Sequence, residues 1–231
     1  MLRICPKGSH TMTIQRYQTN YKILEKSALQ PWQQIPPAIA GDCMNRSQGM
    51  AARIKPASSG MTLTGQARTV FVMVGDNSAI HVAISMALPG EVLVIDARAH
   101  VDTAIWGGIM TRAAVHKGIA GVVIDGAVRD VAEIIELGFP VFCAGAVPAG
   151  PSKGFGGIID GSVSCGGASV SSGDIILGDD DGVVVVPLLR QAALLAAAQE
   201  KLSNEQAINA ETARGIMPSE HMGLPEPEVI N

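Results

Sequence analysis

The sequence predicts an α/β protein built as one domain, with short helices ahead of the core and a long helix behind it. Three observations carry that prediction. Strand-like and helix-like segments alternate from about residue 63 to residue 144, the pattern of βαβ units. The strands at 91–96 (EVLVID) and 121–125 (GVVID) are near-continuous apolar runs, as expected of strands covered on both faces. Leu188 to Arg214 is alanine-rich with no internal glycine or proline, which reads as one helix. At 231 residues, 47% hydrophobic and 16% charged, the chain has enough apolar surface to bury a core and too little charge for a disordered one.

Residues 1–19, including Lys7-Gly8-Ser9-His10, are read as a leader, either an expression scar or a misassigned upstream start; 20–214 is the expected domain. Between 20 and 50, two short helical pieces break at Gln30-Pro31 and Ile35-Pro36-Pro37. The run LTGQARTVFVMV (63–74) is a strand ending at Gly75-Asp76-Asn77, a turn or helix cap before a helix at 78–87. Pro89-Gly90 punctuates before the strand at 91–96. A loop at 102–110, a helix at 108–117, the strand at 121–125, a helix at 130–137 and a strand at 140–144 follow. Residues 161–187 change character to glycine-rich strands forming a β-layer, with turns at Ser172-Gly173-Asp174 and Asp179–Gly182. From Gly215 onward, Pro218, Pro225 and Pro227 indicate a loose tail.

A net charge of −4 and the lack of any Lys/Arg run exclude a field that would gather nucleic acid. No apolar run is long enough to span a bilayer and no signal peptide is visible, so a cytoplasmic protein without a membrane partner is expected. Cys5, Cys43, Cys143 and Cys165 are far apart, which predicts reduced thiols and neither a zinc ribbon nor a disulfide framework.

In α/β sheets ligands collect beyond the carboxyl ends of strands. Three loops there carry informative residues: Gly75-Asp76-Asn77, the segment 102–110 with Gly107-Gly108-Ile109-Met110, and Asp125 to Asp130. Arg129 and Asp130 have two readings. In one, Asp130 N-caps its own helix and Arg129 makes a surface ion pair. In the other, the guanidinium grips a substrate carboxylate and Asp130 holds a hard cation. Gly107–Met110 is either a tight turn or a stretch of helix-start amides open to a ligand. Among the remaining candidates, His81 reads as a structural histidine, Lys153 as a solvated loop lysine rather than a Schiff-base former, and Asp179–Gly182 as a hairpin turn rather than a cation site. His100 and His116 lack partners at metal-ligand spacing.

The order of these pieces is itself informative. Gly107-Gly108-Ile109-Met110, eighteen residues, Arg129-Asp130 and then Glu133, with Gly118, Gly121, Asp125 and Gly126 between, resembles the signature of the 4-hydroxy-4-methyl-2-oxoglutarate aldolase/RraA-like family. Gly75-Asp76-Asn77 with His81, Pro89-Gly90-Glu91, Ser172-Gly173-Asp174 and Asp180 to Pro187 match it too, over roughly residues 35 to 200. The resemblance implies an RraA-like swivelling β/β/α core, a homotrimer or homohexamer with sites between subunits, and a class II aldolase. Such an enzyme releases pyruvate from 4-hydroxy-2-oxo acids of aromatic catabolism, such as 4-hydroxy-4-methyl-2-oxoglutarate or 4-carboxy-4-hydroxy-2-oxoadipate, and decarboxylates oxaloacetate as a side activity. It implies a divalent cation, Mg2+ or Mn2+, anchored by Asp130. Arg129 would bind the substrate, Glu133 would help hold the water around the metal, and Gly107, Gly108, Ile109 and Met110 would line the substrate with amides. A glutamate from a neighbouring subunit's C-terminal helix, Glu200 or Glu205, is also expected. Gly108 departs from the acidic residue of many relatives. The same family includes non-catalytic regulators that bind a ribonuclease or another protein, which is the rival expectation.

Overall fold

The computed structural model describes residues 13–230, so the greater part of the leader, with Cys5, lies outside the described residues. In chain order the elements are β1 (Ile14–Arg16), α1 (Lys26–Leu29), a 3-10 helix (Gln30–Gln34), α2 (Pro37–Asp42), β2 (Lys55–Pro56), β3 (Leu63–Val72), α3 (Ser78–Met86), β4 (Glu91–Trp106), α4 (Gly108–Lys117), β5 (Gly121–Val128), α5 (Val131–Glu136), β6 (Val141–Ala146), β7 (Gly157–Ile159), β8 (Val163–Cys165), β9 (Ala168–Val170), β10 (Ile175–Asp179) and β11 (Gly182–Val186). A 3-10 turn (Leu188–Arg190), α6 (Gln191–Thr212) and α7 (Pro218–Met222) complete them. The prolines of the amino-terminal region open helical segments as well as ending them: Pro31 and Pro37 stand at the first turns of the 3-10 helix and α2, where a missing N–H costs nothing.

One large sheet runs β1-β7-β3-β4-β5-β6-β2, with β3, β4, β5 and β6 parallel to one another as the βαβ pattern requires. The glycine-rich late strands, expected as a β-layer, divide between the main sheet and a small hairpin. β10 pairs with the first half of β3 and β7 with its last three residues, so both join the main sheet, and only the β8–β9 hairpin stands apart. The Asp179–Gly182 turn joins β10 to β11 as a hairpin. Within the segment read as a leader, Ile14–Arg16 pair in parallel with β7. The tail contains one short helix, α7.

Residue alternation along β4 shows how the sheet is buried. Leu93 and Ile95 face a core shared with Ile80 and Ile84 of α3, Met110 and Ala114 of α4 and Ile134 of α5. Val92 and Val94 face Val163, Cys165 and Val170 of the small hairpin. A third cluster seats α6, through Leu194 and Ala198, on Trp32, Ile39 and the β10–β11 hairpin. Among the described residues no helix is long and apolar enough to cross a membrane.

The largest departure from the expected elements is in β4, which continues ten residues past Asp96 where a loop was predicted. Val92 to Asp96 pair one-to-one with Gly121 to Asp125. His100, Ala104 and Trp106 then pair with the consecutive residues Gly126, Ala127 and Val128, so the extra β4 residues bulge out. Arg98 and Ala99 both take positive φ (59° and 57°), and the Asp96 carboxylate accepts the Arg98 N–H at 2.9 Å to hold the turn. The bulge brings the end of β4 level with the end of β5, which sets the starts of α4 and α5 side by side.

Candidate functional site

The Arg129 N–H donates to the Trp106 carbonyl at 2.9 Å, tying the end of β5 to the end of β4. Gly107, the N-cap of α4, has extended backbone, and the first intrahelical bond runs from Thr111 N–H to Gly107 O (3.0 Å). The amides of Ile109 and Met110 lie before that bond, in the turn whose donors a helix leaves unpaired. The Gly108 amide is already used: it donates to Asp130 Oδ2 at 3.0 Å. Asp130 sits at the N-cap of α5 with φ 59° and ψ 37°, a conformation that aspartate tolerates better than most residues, and its side chain makes no bond to its own helix. The carboxylate thus reaches across to cap α4, which disposes of the self-capping reading and narrows the amide pocket expected at Gly107–Met110.

The two glycines are steric requirements. A Cβ on Gly107 would stand 2.6 Å from Asp130 Oδ2 and 3.1 Å from Arg129 Cγ, and one on Gly108 would collide with the Glu133 carboxylate. Glu133 therefore fills the space beside the Gly108 α-carbon. Glu133 Oε1 accepts from Arg112 Nε at 2.7 Å, and Arg129 Nε lies 3.6 Å from Asp130 Oδ2 with both side chains about two-fifths exposed. On its other side Arg129 Nη1 packs over Gly150, where a Cβ would be 2.6 Å away.

A cavity of about 300 Å³ opens at this point, walled by Ile105, Trp106, Met110, Arg129 and Asp130 with His81 and Lys153. Its size suits a small organic acid. His81 is half-buried, and its pKa is lowered by burial first and by the Lys153 charge second, so its imidazole is held neutral. Asn77, also on the wall, is buried; its Nδ2 donates to the Ile105 carbonyl at 3.3 Å, and its Oδ1 has no partner.

As for a metal, among the described residues no group of three His, Cys, Asp or Glu side chains converges. Two carboxylates, Asp130 and Glu133, meet at the start of α4, both partly exposed to solvent. Such an oxygen-only, incompletely filled set fits a hard cation that keeps much of its water, as Mg2+ does, and does not fit a zinc cage. Glu200 and Glu205 lie elsewhere in this chain: they are on α6, which packs on α2, and Glu205 pairs with Lys201 (3.2 Å), which also holds Asp42.

Arg112 and Gly150 gave no signal in the sequence. Arg112 lies one helical turn after Gly108, a spacing that places it on the same face, and this was the available clue. Lys153, discounted as a solvated loop residue, lines the cavity.

Comparison with known proteins gives the family. Residues 38–185 match the RraA-like family, described as Aldolase/RraA. A Halalkalibacterium halodurans protein provisionally named 4-hydroxy-4-methyl-2-oxoglutarate aldolase is 37% identical over 183 residues, 79% of this chain and 87% of its own length. The Thermus thermophilus protein named 4-hydroxy-4-methyl-2-oxoglutarate aldolase is 34% identical over 115 residues, 50% of this chain and 70% of its own. The structure of Streptomyces coelicolor RraAS2, described as an unusual member of the RNase ES inhibitor RraA protein family, superposes with a TM-score of 0.73 at 26% identity. That match covers 81% of this chain and 98% of the other.

Proposed function

The chain belongs to the RraA-like family, Aldolase/RraA, and from that premise we propose that it is a divalent-metal-dependent lyase cleaving 4-hydroxy-2-oxo acids to pyruvate and a second oxo acid. Family members named as aldolases support a carbon–carbon lyase. The observation that carries the reading to this chain is the meeting of Arg129, Asp130 and Glu133 at the two-glycine start of α4, on the rim of a cavity sized for a small acid.

In this reading the Arg129 guanidinium binds the substrate's 1-carboxylate and 2-oxo oxygen, a planar pair that matches its fork of donors. Asp130 would hold the cation and Glu133 the water around it; the cation's contribution when bound is to withdraw charge from the 2-oxo group. The proton leaves the 4-hydroxyl for a water held by these carboxylates. The C3–C4 bond then breaks, its electron pair moves to C3 to give the pyruvate enolate, and C4 becomes the carbonyl of the second product. Protonation at C3 completes pyruvate. Oxaloacetate passes through the same enolate when it loses carbon dioxide, so the site acts on it as well. The free amides of Ile109 and Met110 face developing oxygen charge. The active unit is a homotrimer or homohexamer of domains spanning 20–214, with Glu200 or Glu205 of one subunit serving the next.

The test couples pyruvate release from 4-hydroxy-4-methyl-2-oxoglutarate and from oxaloacetate to lactate dehydrogenase, with Mg2+, with Mn2+, with EDTA, and in Asp130→Ala and Arg129→Ala. Turnover lost with EDTA and in both variants is the expected result; turnover that survives EDTA sinks the metal-dependent mechanism. A second reading, a non-catalytic regulator that binds a ribonuclease or another protein, is favoured by the resemblance to RraAS2, and no turnover with any metal would select it.

A further inference from the structure

Arg129 stands between two cavities. The one described above lies on the side of Ile105, Met110 and Lys153. A second, of about 370 Å³, lies on the side of Val131, Ala146 and Pro148, and Arg129 and Asp130 wall both. A guanidinium on a flexible stem, about two-fifths exposed and 3.6 Å from Asp130, has room to lean either way. Gripping a planar pair of substrate oxygens requires that it be fixed on one side.

The loop after β6 supplies that constraint. Pro148 walls the second cavity and Pro151 the first, so the chain passes from one to the other across Arg129 at Ala149–Gly150. Gly150 is not in the left-handed region, so its backbone does not call for glycine. Its need is space: a Cβ there would stand 2.6 Å from Arg129 Nη1 and 3.5 Å from Cζ, and among the described residues nothing else beyond its chain neighbours comes within 4 Å. The loop itself is pinned. Ala149 O accepts the Ala104 N–H (2.8 Å) and Ser152 N–H donates to the Gly75 carbonyl (2.7 Å), on either side of Gly150. Further on, Gly154 N–H donates to Ser78 Oγ (2.8 Å) and Phe155 N–H to Asp76 Oδ2 (3.1 Å). Asp76 is fully buried, and its other oxygen accepts the Ser78 N–H at 2.8 Å, so a single carboxylate joins the start of α3 to the loop. Freeing the loop would strand that buried charge.

We propose that Gly150 is a positioning residue for Arg129, its bare α-carbon setting how far and to which side the guanidinium leans, and that Asp76 acts through the same loop by holding Gly150 in place. This rests on the lyase reading above, in which Arg129 binds the substrate's carboxylate and 2-oxo oxygen. An alanine at 150 meets the end of a flexible side chain and no backbone atom. The second cavity can receive the displaced guanidinium, so the fold is spared while the site is not.

The experiment sets kcat/KM for pyruvate release from 4-hydroxy-4-methyl-2-oxoglutarate, with Mg2+, beside the melting temperature. It uses the wild type, Gly150→Ala, Asp76→Asn and the pair. Gly150→Ala is expected to lower kcat/KM about 10- to 100-fold, the effect of a misplacement of about 1 Å. Its melting temperature should stay within about 2 °C of the wild type. In Asp76→Asn, whose loosened loop can shift to admit the methyl group, the same substitution should cost at least about 5-fold less. Ser78→Ala, which removes a single bond from the loop, serves as the background if Asp76→Asn does not fold. An unchanged kcat/KM in Gly150→Ala, or a large drop in its melting temperature, overturns the proposal and leaves the lyase reading in place. An equal cost in both backgrounds overturns the part assigned to Asp76. If the wild type cleaves no substrate, the lyase reading fails and calorimetry with pyruvate and Mg2+ decides the inference separately. Gly150→Ala should then weaken pyruvate binding about 10-fold or more, and an unchanged affinity, or no binding by the wild type, overturns it.

Discussion

Two clusters in this molecule are made of the same parts, an arginine set among carboxylates, and they differ in how much water and unused bonding capacity each keeps. Arg68 on β3 is buried, with Nε and Nη2 on Glu91 (2.8 and 3.1 Å) and Nη1 on both oxygens of Asp160 (3.0 Å). Every group there is answered again: Glu91 also accepts from the Tyr21 hydroxyl and the Leu88 N–H, and Asp160 from Arg16 Nε and Ser172 Oγ. Arg129, Asp130 and Glu133 are two-fifths to one-third exposed; Arg129 and Asp130 share one 3.6 Å contact and Glu133 takes one 2.7 Å bond from Arg112, with room beside Arg129 and Asp130 for a ligand. A saturated cluster holds strands and the amino-terminal segment together, whereas an unsaturated one can exchange partners with a substrate. The residue types do not distinguish the two; the count of remaining partners does.

If that contrast is right, the two clusters respond to substitution in opposite ways. Asp130→Asn keeps an acceptor for the Gly108 amide and tolerates the left-handed backbone, yet removes the charge proposed to hold the cation. Pyruvate-forming turnover is expected to fall by about three powers of ten, equivalent to ~4 kcal/mol of barrier, with the melting temperature nearly unchanged. Arg68→Met does the reverse: it leaves Glu91 and Asp160 facing each other in a dry interior, at a cost of about 3–5 kcal/mol in stability by chemical denaturation. A melting temperature that drops as far for Asp130→Asn as for Arg68→Met would erase the distinction between the clusters.

Gly108→Ala probes the unsaturated cluster more gently. Its new methyl group displaces the Glu133 carboxylate, and the Mg2+ concentration giving half-maximal turnover is expected to rise about 10-fold or more, as for loss of a supporting group around a metal. In a Glu133→Ala background the same change should add little, and the shortfall from additivity in that double-mutant cycle measures the contact.

Tyr21 belongs to the saturated cluster, and burial, reinforced by the Glu91 carboxylate, raises its phenol pKa well above the ordinary value of 10. A raised pKa keeps the folded state protonated where the unfolded chain ionises. This part of the stability is complete below pH 10 and is lost as pH rises from there toward the folded-state value. Tyr21→Phe should cost about 1 kcal/mol at neutral pH and flatten the alkaline limb of a stability-against-pH curve.

The sequence showed the framework of this arrangement more fully than its working contacts. The βαβ core was legible because its buried strands are unbroken apolar runs with glycine and proline between them, and Arg129, Asp130 and Glu133 because their order resembles a family signature. The β4 extension was not, since Ala97–Ile105 has neither a clean alternation nor a glycine where the chain takes positive φ; an aspartate-held turn at Arg98–Ala99 supplies the bulge instead. Lys153 was discounted because its loop is organised by Asp76, far away in the chain. That Asp130 bonds to the start of the preceding helix instead of capping its own emerged only once the two helix starts were placed side by side.

The smallest effect expected is at Arg112. Its bond to Glu133 is short, 2.7 Å, but Arg112 is two-thirds exposed and offers one nitrogen, so solvent and salt screen it. Arg112→Ala should therefore change stability by ~1 kcal/mol at most, a shift of about 2–4 °C in melting temperature that shrinks further in 1 M salt. What the variant does to Mg2+ dependence is the sharper reading. If Glu133 is held beside Gly108 by packing alone, the half-saturating Mg2+ concentration stays put; if Arg112 aims the carboxylate, that concentration moves in the same direction as in Gly108→Ala, and the unsaturated cluster extends one residue further along α4 than the family signature reaches.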